Sequence, residues 1–126
     1  MLNIPSPLKV FLCVEAADMR KGFDTLAAVV CETLQLDPLS GQLFVFRSRR
    51  GDRVKLLYWD GDGYALWYKR LEAGSFRFPA TDASQTSVTI SAADLAMLLA
   101  GVDLTSVRRS QRFSRLDSNI PAASRV

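Results

Sequence analysis

The stretch FRSRRGDRVK, residues 46–55, concentrates the side chains of this sequence that are best suited to binding phosphate. It carries five basic residues and one aspartate, so its net charge is +4. Guanidinium groups donate paired hydrogen bonds to phosphate oxygens, and each neutralised phosphate releases condensed counterions. The segment therefore forms a candidate DNA-binding site, made of Arg47, Arg49, Arg50, Arg53 and Lys55.

Charge is distributed unevenly over the rest of the chain. Residues 106–126 hold five arginines against Asp117, which gives a second segment of net charge +4. Because the whole sequence has a net charge of +3, the remaining residues sum to −5. Two basic segments on an acidic body favour a phosphate-bearing partner, although arginines that only keep loops solvated would give the same composition.

The triplet Arg50–Asp52 spells Arg-Gly-Asp and so raises a second interpretation, cell adhesion. That function requires an extracellular protein, and the N-terminal residues lack the features of a signal peptide. A glycine after two arginines is better explained by turn geometry, since glycine readily adopts positive φ. We interpret the triplet as a turn.

The run DGDG, Asp60–Gly63, is a second cluster with possible chemistry. A calcium loop spreads its oxygen ligands over about twelve residues and ends on a bidentate glutamate, whereas here a β-rich run follows at once. A tight hairpin is the better interpretation. A metal-dependent nuclease using Asp60 and Asp62 is kept as a minor alternative, and no metal site is predicted because no third carboxylate has a suitable spacing.

Aromatic side chains on two successive predicted strands could stack on bases or on a protein partner. Aromatics on neighbouring strands also pair with one another and build the core, and we favour that role for most of them. The candidates for stacking or for an interface are Tyr58, Trp59, Trp67 and Tyr68.

The sequence offers no arrangement typical of a catalytic site. It contains no histidine, which is the commonest general base and metal ligand. It also lacks a glycine-rich phosphate loop and a dinucleotide-binding fingerprint. We therefore expect a protein that is not an enzyme and that has no catalytic residues and no cofactor.

Two further features concern the compartment. Cys13 and Cys31 lie in apolar runs without metal-ligand spacing, which predicts buried, reduced thiols and a cytoplasmic protein. No apolar run approaches the roughly 18 residues that a membrane span needs, so no membrane partner is expected.

The hydrophobic pattern predicts two helices that pack on a sheet. Residues 8–14 read as a strand, and Asp18 is the predicted N-cap of a first helix. A second helix is predicted to open at Ser91 and to stop at Gly101. The buried stripe predicted for the first helix consists of Phe23, Leu26, Ala27, Val30 and Leu34.

The centre of the sequence reads as a three-stranded meander over residues 42–46, 53–60 and 64–70. Residues 76–79, FRFP, are a candidate extension of the sheet, and residues 86–90 are a further strand. The predicted fold is α+β, a mainly antiparallel sheet packed by two helices. We expect one domain over residues 1–106, followed by a flexible Arg/Ser-rich tail over residues 107–126.

Three blocks of the sequence together resemble a known family: DMRKGFDTLA, the long block from Asp37 to Pro79, and LAMLLAGVDL. They are similar to the accessory protein called TnpB, the product of the second open reading frame of insertion-sequence-66-type transposable elements. The resemblance runs from about Pro7 to Leu104. It differs mildly at Thr25 and Phe78, where glycine and tryptophan are common.

The resemblance implies a small protein that accompanies a separate, larger transposase and is needed for efficient movement of the element. It does not imply the catalytic transposase itself. Basic positions that match the family motif extend the candidate DNA-binding set. These added residues are Arg20, Lys21, Lys69 and Arg70.

Two functions remain open at this point. The leading hypothesis is a DNA-binding accessory factor that contacts element ends or target DNA through the basic hairpin loop, within a transposase complex. The alternative is an adaptor that binds the transposase or another accessory protein of the same element without contacting DNA, because aromatics beside arginines are also favoured in protein interfaces.

Overall fold

The structure, a computed structural model, describes residues 8–101. Its five strands form one sheet in the order β4-β3-β2-β1-β5, in which β1 and β2 are parallel and the other neighbours antiparallel. The predicted α+β fold with a central meander is confirmed. The elements are β1 Val10–Cys13, α1 Phe23–Glu32, β2 Leu43–Arg47, β3 Arg53–Trp59, β4 Tyr64–Arg70, β5 Ser87–Ile90 and α2 Ala92–Leu99.

The two turns of the meander follow from local chemistry. Gly51 has φ 78° in the β2–β3 loop, and Gly61 has φ 92° in the β3–β4 turn. The amide of Asp60 donates to the carbonyl of Gly63 at 2.8 Å and closes the β3–β4 hairpin. Residues with a β-carbon rarely adopt these positive φ values, so glycine fixes where the strands reverse.

Strand alternation divides the apolar residues between two cores, one on each face of the sheet. Val54 and Leu56 of β3 pack with Leu95 and Leu98 of α2. Leu57 lies on the opposite face, in the cluster that contains Leu26, Val30, Phe44 and Phe46. The sheet is therefore the middle layer between α1 and α2, as a strand period of two requires when both faces are covered.

The predicted start of the first helix was wrong. The helix begins at Phe23 rather than after Asp18, because the hydroxyl of Thr25 accepts a hydrogen bond from the amide of Gly22 at 2.9 Å. Phe23 is 48% exposed and lies outside the buried stripe, whereas Leu26 and Val30 are fully buried. Residues 19–22 are thus outside the helix, and residues 16–20 form a separate wall beside the sheet.

Two further predictions were wrong, and one lies beyond the described residues. Residues 76–79 form no strand; instead Phe76, which is 4% exposed, inserts into the α2-side core. Cys13 is buried as expected, but Cys31 is exposed. The domain end at residue 106 and the tail over 107–126 fall outside the described range. Within residues 8–101, no helix is both long and apolar enough to cross a membrane.

Candidate functional site

Two segments that are distant in sequence enclose a surface cleft of about 540 Å³. One wall is the β2–β3 loop, and the other is the segment 16–20 that precedes α1. We call this the arginine cleft, because four of the basic residues singled out from the sequence line it. They are Arg20, Arg49, Arg50 and Arg53.

The β2–β3 loop is held by Ser48, which is 8% exposed. The Ser48 hydroxyl donates to the carboxylate of Asp52 at 3.2 Å and accepts from the amide of Arg53 at 3.1 Å. The Ser48 carbonyl accepts from the amide of Gly51 at 3.0 Å, and the Gly51 carbonyl accepts from the amide of Phe76 at 2.8 Å. These bonds give the loop a defined shape, so Arg49 and Arg50 project from a fixed turn.

Lys55 anchors the opposite wall of the cleft. Its Nζ donates to the carbonyls of Met19 and Lys21, each at 2.7 Å, and lies 4.7 Å from the ring centroid of Tyr68. The residue is only 7% exposed. The structure therefore shows Lys55 tying residues 19 and 21 to β3, and the DNA contact expected from the sequence stays a prediction.

Arg47 supports the cleft wall from the other face of the sheet. Its guanidinium donates to the carbonyl of Val14 at 2.6 Å, and its carbon Cζ lies 5.9 Å from the ring centroid of Phe78. The Arg47 carbonyl accepts from the amide of Ala17 at 2.9 Å. Arg47 therefore joins β2 to the 16–20 wall, and its charge faces the opposite side of the sheet from the cleft.

The predicted basic pair on β4 is divided between the two faces of the sheet. Nζ of Lys69 donates to the carbonyl of Leu99 at 3.2 Å, at the C-terminus of α2, where a cation is favoured by the helix dipole. Arg70 lies directly across from Arg53 in the β3–β4 ladder and is half-exposed, with a contact of 3.5 Å to Glu72. Like charges placed opposite each other are destabilising, so an anion bound between them would be favoured.

The remaining cleft arginine is partly neutralised. The guanidinium of Arg20 donates to both carboxylate oxygens of Asp18, with the shortest distance at 2.8 Å. These side-chain hydrogen bonds hold the pKa of Asp18 well below its usual value. Asp18 is therefore ionised in any ordinary buffer. With Asp52, two aspartates oppose four arginines, which leaves the cleft a formal charge of +2.

Lys21 does not line the cleft. Its carbonyl accepts the Lys55 ammonium at 2.7 Å, and its side chain is half-buried beside the start of α1. The residue follows Arg20 directly, so its charge contributes to the field at the edge of the cleft.

The aromatic candidates do not gather at the cleft. Tyr58 and Trp67 pack against the α2-side core. The rings of Trp59 and Tyr64 make an edge-to-face contact next to the β3–β4 turn, with their centroids 5.2 Å apart. Tyr68 differs, because it is 49% exposed and lies on the face of the sheet that carries Arg53 and Arg70.

Asp60 and Asp62 occupy the end of the sheet that is farthest from the arginine cleft. Both side chains are exposed at the β3–β4 turn. Over the described residues, no three His, Cys, Asp or Glu side chains come close enough to hold a metal ion together. The geometry here is that of the hairpin predicted from the sequence.

Sequence reasoning missed the 16–19 segment and Ser48 as parts of the site. The sequence pattern predicts that the first helix begins after Asp18, so the residues that form a wall of the cleft were assigned to that helix. The spacing of Gly22 and Thr25 is the local signal that places the helix start at Phe23. Ser48 carries no comparable signal, since its role depends on bonds to Asp52 and Arg53 across the loop.

One protein family matches the chain, and two uncharacterised proteins are similar to it over most of their length. The sequence profile of the family described as IS66 Orf2 like protein matches residues 8–109. The chain is 38% identical to the uncharacterised protein y4jC of Sinorhizobium fredii over 109 residues, which cover 86% of this chain and 92% of that protein. It is 42% identical to the uncharacterised protein y4hO of the same organism over 103 residues, which cover 82% and 88% respectively.

No solved structure matches the chain. The family match extends over the β2–β3 loop, the 16–20 wall and every strand and helix of the described region. The chain thus belongs to the IS66 Orf2-like family, the accessory proteins of IS66-type transposition.

Proposed function

We propose that this accessory protein binds DNA by its phosphate backbone, at element ends or target DNA, within a transposase complex. The observation that carries the proposal is the arginine cleft, where four arginines from two separate segments line one cavity of about 540 Å³. Several guanidinium groups lining one cleft suit a polyanion, because each can donate two hydrogen bonds to one phosphate.

The loop arginines are the contacts best supported by the geometry. Arg49 and Arg50 are exposed, and in the described part of the chain neither side chain has a hydrogen bond or ion pair. Their charges are therefore available to a ligand without breaking an existing contact. Arg53 lines the same cleft, and Arg70 extends the basic surface from the neighbouring strand.

Three of the basic residues predicted to bind DNA support the site indirectly in this proposal. Lys55 and Arg47 fix the 16–20 wall, and Lys69 binds the C-terminus of α2. Contact with phosphate is assigned to the four arginines that line the cleft, Arg20, Arg49, Arg50 and Arg53.

The proposal is tested in the full chain by two charge-changing variants of the cleft and one control variant outside it. Arg53→Ala is expected to weaken binding to duplex DNA by roughly three- to tenfold, since one phosphate contact is lost. Asp18→Asn is expected to tighten binding, because it removes a negative charge from the cleft but keeps an oxygen that can accept the Arg20 amide at the turn. Fluorescence anisotropy with a labelled duplex measures both.

Lys9→Ala is the control. Lys9 is exposed and lies at the start of β1, whereas the arginine cleft lies beyond the C-terminal end of the parallel strand β2. The substitution therefore changes net charge by the same amount without touching the cleft. Equal effects of Lys9→Ala and Arg53→Ala would show that binding follows overall charge alone and would count against the cleft.

A second candidate function is the adaptor, which binds the transposase or the other accessory protein of the element. It is favoured by two large exposed apolar side chains: Phe23, the first residue of α1, at 48% exposure, and Tyr68, on the sheet face that α1 covers, at 49%. Exposed aromatics are enriched at the centres of protein interfaces.

Co-purification separates the adaptor from the DNA-binding function. The adaptor function predicts that the tagged chain retains the transposase after exhaustive nuclease treatment, and that Phe23→Ser reduces the amount retained. Loss of the transposase on nuclease treatment alone would mean that DNA bridges the two proteins.

A further inference from the structure

Among residues 8–101, the outer edge of β4 pairs with no other strand. At seven residues, β4 is as long as any strand in the described sheet, and it pairs on one side only, with β3. Its register with β3 is continuous from Tyr64 to Arg70, without a bulge, and it contains no proline. Proteins normally blunt such an edge, because its unpaired backbone groups can pair with another strand.

The hairpin geometry identifies which backbone groups point outward. The amides of Asp60 and Leu71 donate to the carbonyls of Gly63 and Asp52, so odd-numbered residues of β4 make the bonds to β3. In an antiparallel ladder the intervening residues direct both their N–H and C=O groups away. Four residues therefore present both groups to the open edge: Tyr64, Leu66, Tyr68 and Arg70.

This edge is complementary to itself. If a second copy of β4 lies antiparallel with Trp67 on the two-fold axis, Leu66 pairs with Tyr68, and Tyr64 pairs with Arg70. All four outward N–H groups of each copy then meet a carbonyl of the other. If the pairing register were shifted by two residues, the outward N–H and C=O groups of the residue at one end of β4 would face a turn of the other copy instead of its strand.

The charges at the two ends of β4 favour the same arrangement. Arg70 ends the strand, and Asp60 and Asp62 lie in the turn before its start. Antiparallel pairing brings the arginine end of each copy toward the aspartate turn of the other. A parallel arrangement would instead place arginine beside arginine, which is unfavourable.

We infer that the protein forms a two-fold homodimer in which the β4 strands pair and extend the five-stranded sheets into one continuous sheet. The interface is isologous, as a closed dimer requires. It leaves the arginine cleft open, because the cleft is lined by residues of the β2–β3 loop, the start of β3 and the 16–20 wall. The inference does not rest on the proposed DNA binding.

A backbone change at Tyr68 tests the inference. The intact, nuclease-treated chain should sediment at twice its monomer mass of 14.0 kDa, and Tyr68→Pro should shift it to the monomer, since proline removes an outward donor. Tyr68→Ala is the matched control, because it also loses the ring but keeps the N–H, and it should remain dimeric. A monomeric unmodified chain, or a dimer that persists in Tyr68→Pro, would overturn the inference.

Crosslinking gives a second readout that does not depend on a proline variant folding. In the dimer, Trp67 of one protomer lies opposite Trp67 of its partner in a non-hydrogen-bonded pair. The α-carbons of such a pair lie about 4.5 Å apart, within the range that a disulfide spans. With exposed Cys31 replaced by serine, Trp67→Cys should form a covalent dimer on oxidation with diamide. Thr89→Cys, on the opposite edge strand β5, should not. Crosslinking through Thr89→Cys but not through Trp67→Cys would place the interface at the other edge and refute the β4 pairing.

Discussion

Replacement of both Arg49 and Arg50 by alanine is expected to weaken duplex DNA binding by about 10- to 100-fold near physiological salt, since two phosphate contacts and their released counterions are lost. Folding should be little affected. Both side chains are exposed and have no hydrogen bond or ion pair among residues 8–101. The free energy of unfolding should therefore change by no more than about 0.5 kcal/mol.

The affinity is measured by anisotropy, and the stability by urea unfolding of the same preparations. Lys9→Ala serves again as the control for a lost exposed charge, and it should keep nearly all of the affinity. Undiminished binding by the double variant, with its stability intact, would remove the β2–β3 loop from the DNA interface.

Replacement of Lys55 by methionine is expected to destabilise the domain by about 3 kcal/mol, because the carbonyls of Met19 and Lys21 lose their buried donor. Methionine has similar length, so the cost reflects lost hydrogen bonds more than lost volume. DNA binding should also weaken, although Lys55 does not reach the cleft surface, because the wall that carries Arg20 loses its anchor. Urea unfolding and anisotropy measure the two effects.

The comparison with Lys9→Met distinguishes anchoring from direct contact. The same chemical change at exposed Lys9 should leave both stability and affinity near their original values. If Lys55→Met proved fully stable yet lost as much affinity as the Arg49/Arg50 double variant, Lys55 would be contacting phosphate itself, and its assigned role as an anchor would be wrong.

The meander and the basic loop were predictable because their determinants are local. Gly51 and Gly61 lie where positive φ is needed, and apolar alternation assigns Leu56 and Leu57 to opposite faces. The parallel pairing of β1 with β2 has no comparable local signal. The two strands are joined through α1, and their pairing depends on how that helix packs against the sheet.

The roles of the basic residues were the least predictable part of the site. Composition shows that Arg47 and Lys55 are basic, but not that their partners are the carbonyls of Val14 and Met19. Those partners lie 33 and 36 positions away in sequence, and only the folded sheet brings them together. Periodicity likewise located the buried stripe of α1 but not its first turn, so Phe23 was assigned to the core although it is exposed.

The claim that the arginine cleft binds DNA phosphates is tested most directly by titrating salt against the affinity of the unmodified chain for duplex DNA. Each neutralised phosphate contributes about −0.9 to the slope of log Kobs against log salt concentration. Contacts from the cleft arginines predict a slope of about −3 to −4, reduced in magnitude by roughly 2 in the Arg49/Arg50 double variant. A slope near zero, or one that the double variant leaves unchanged, would contradict the account.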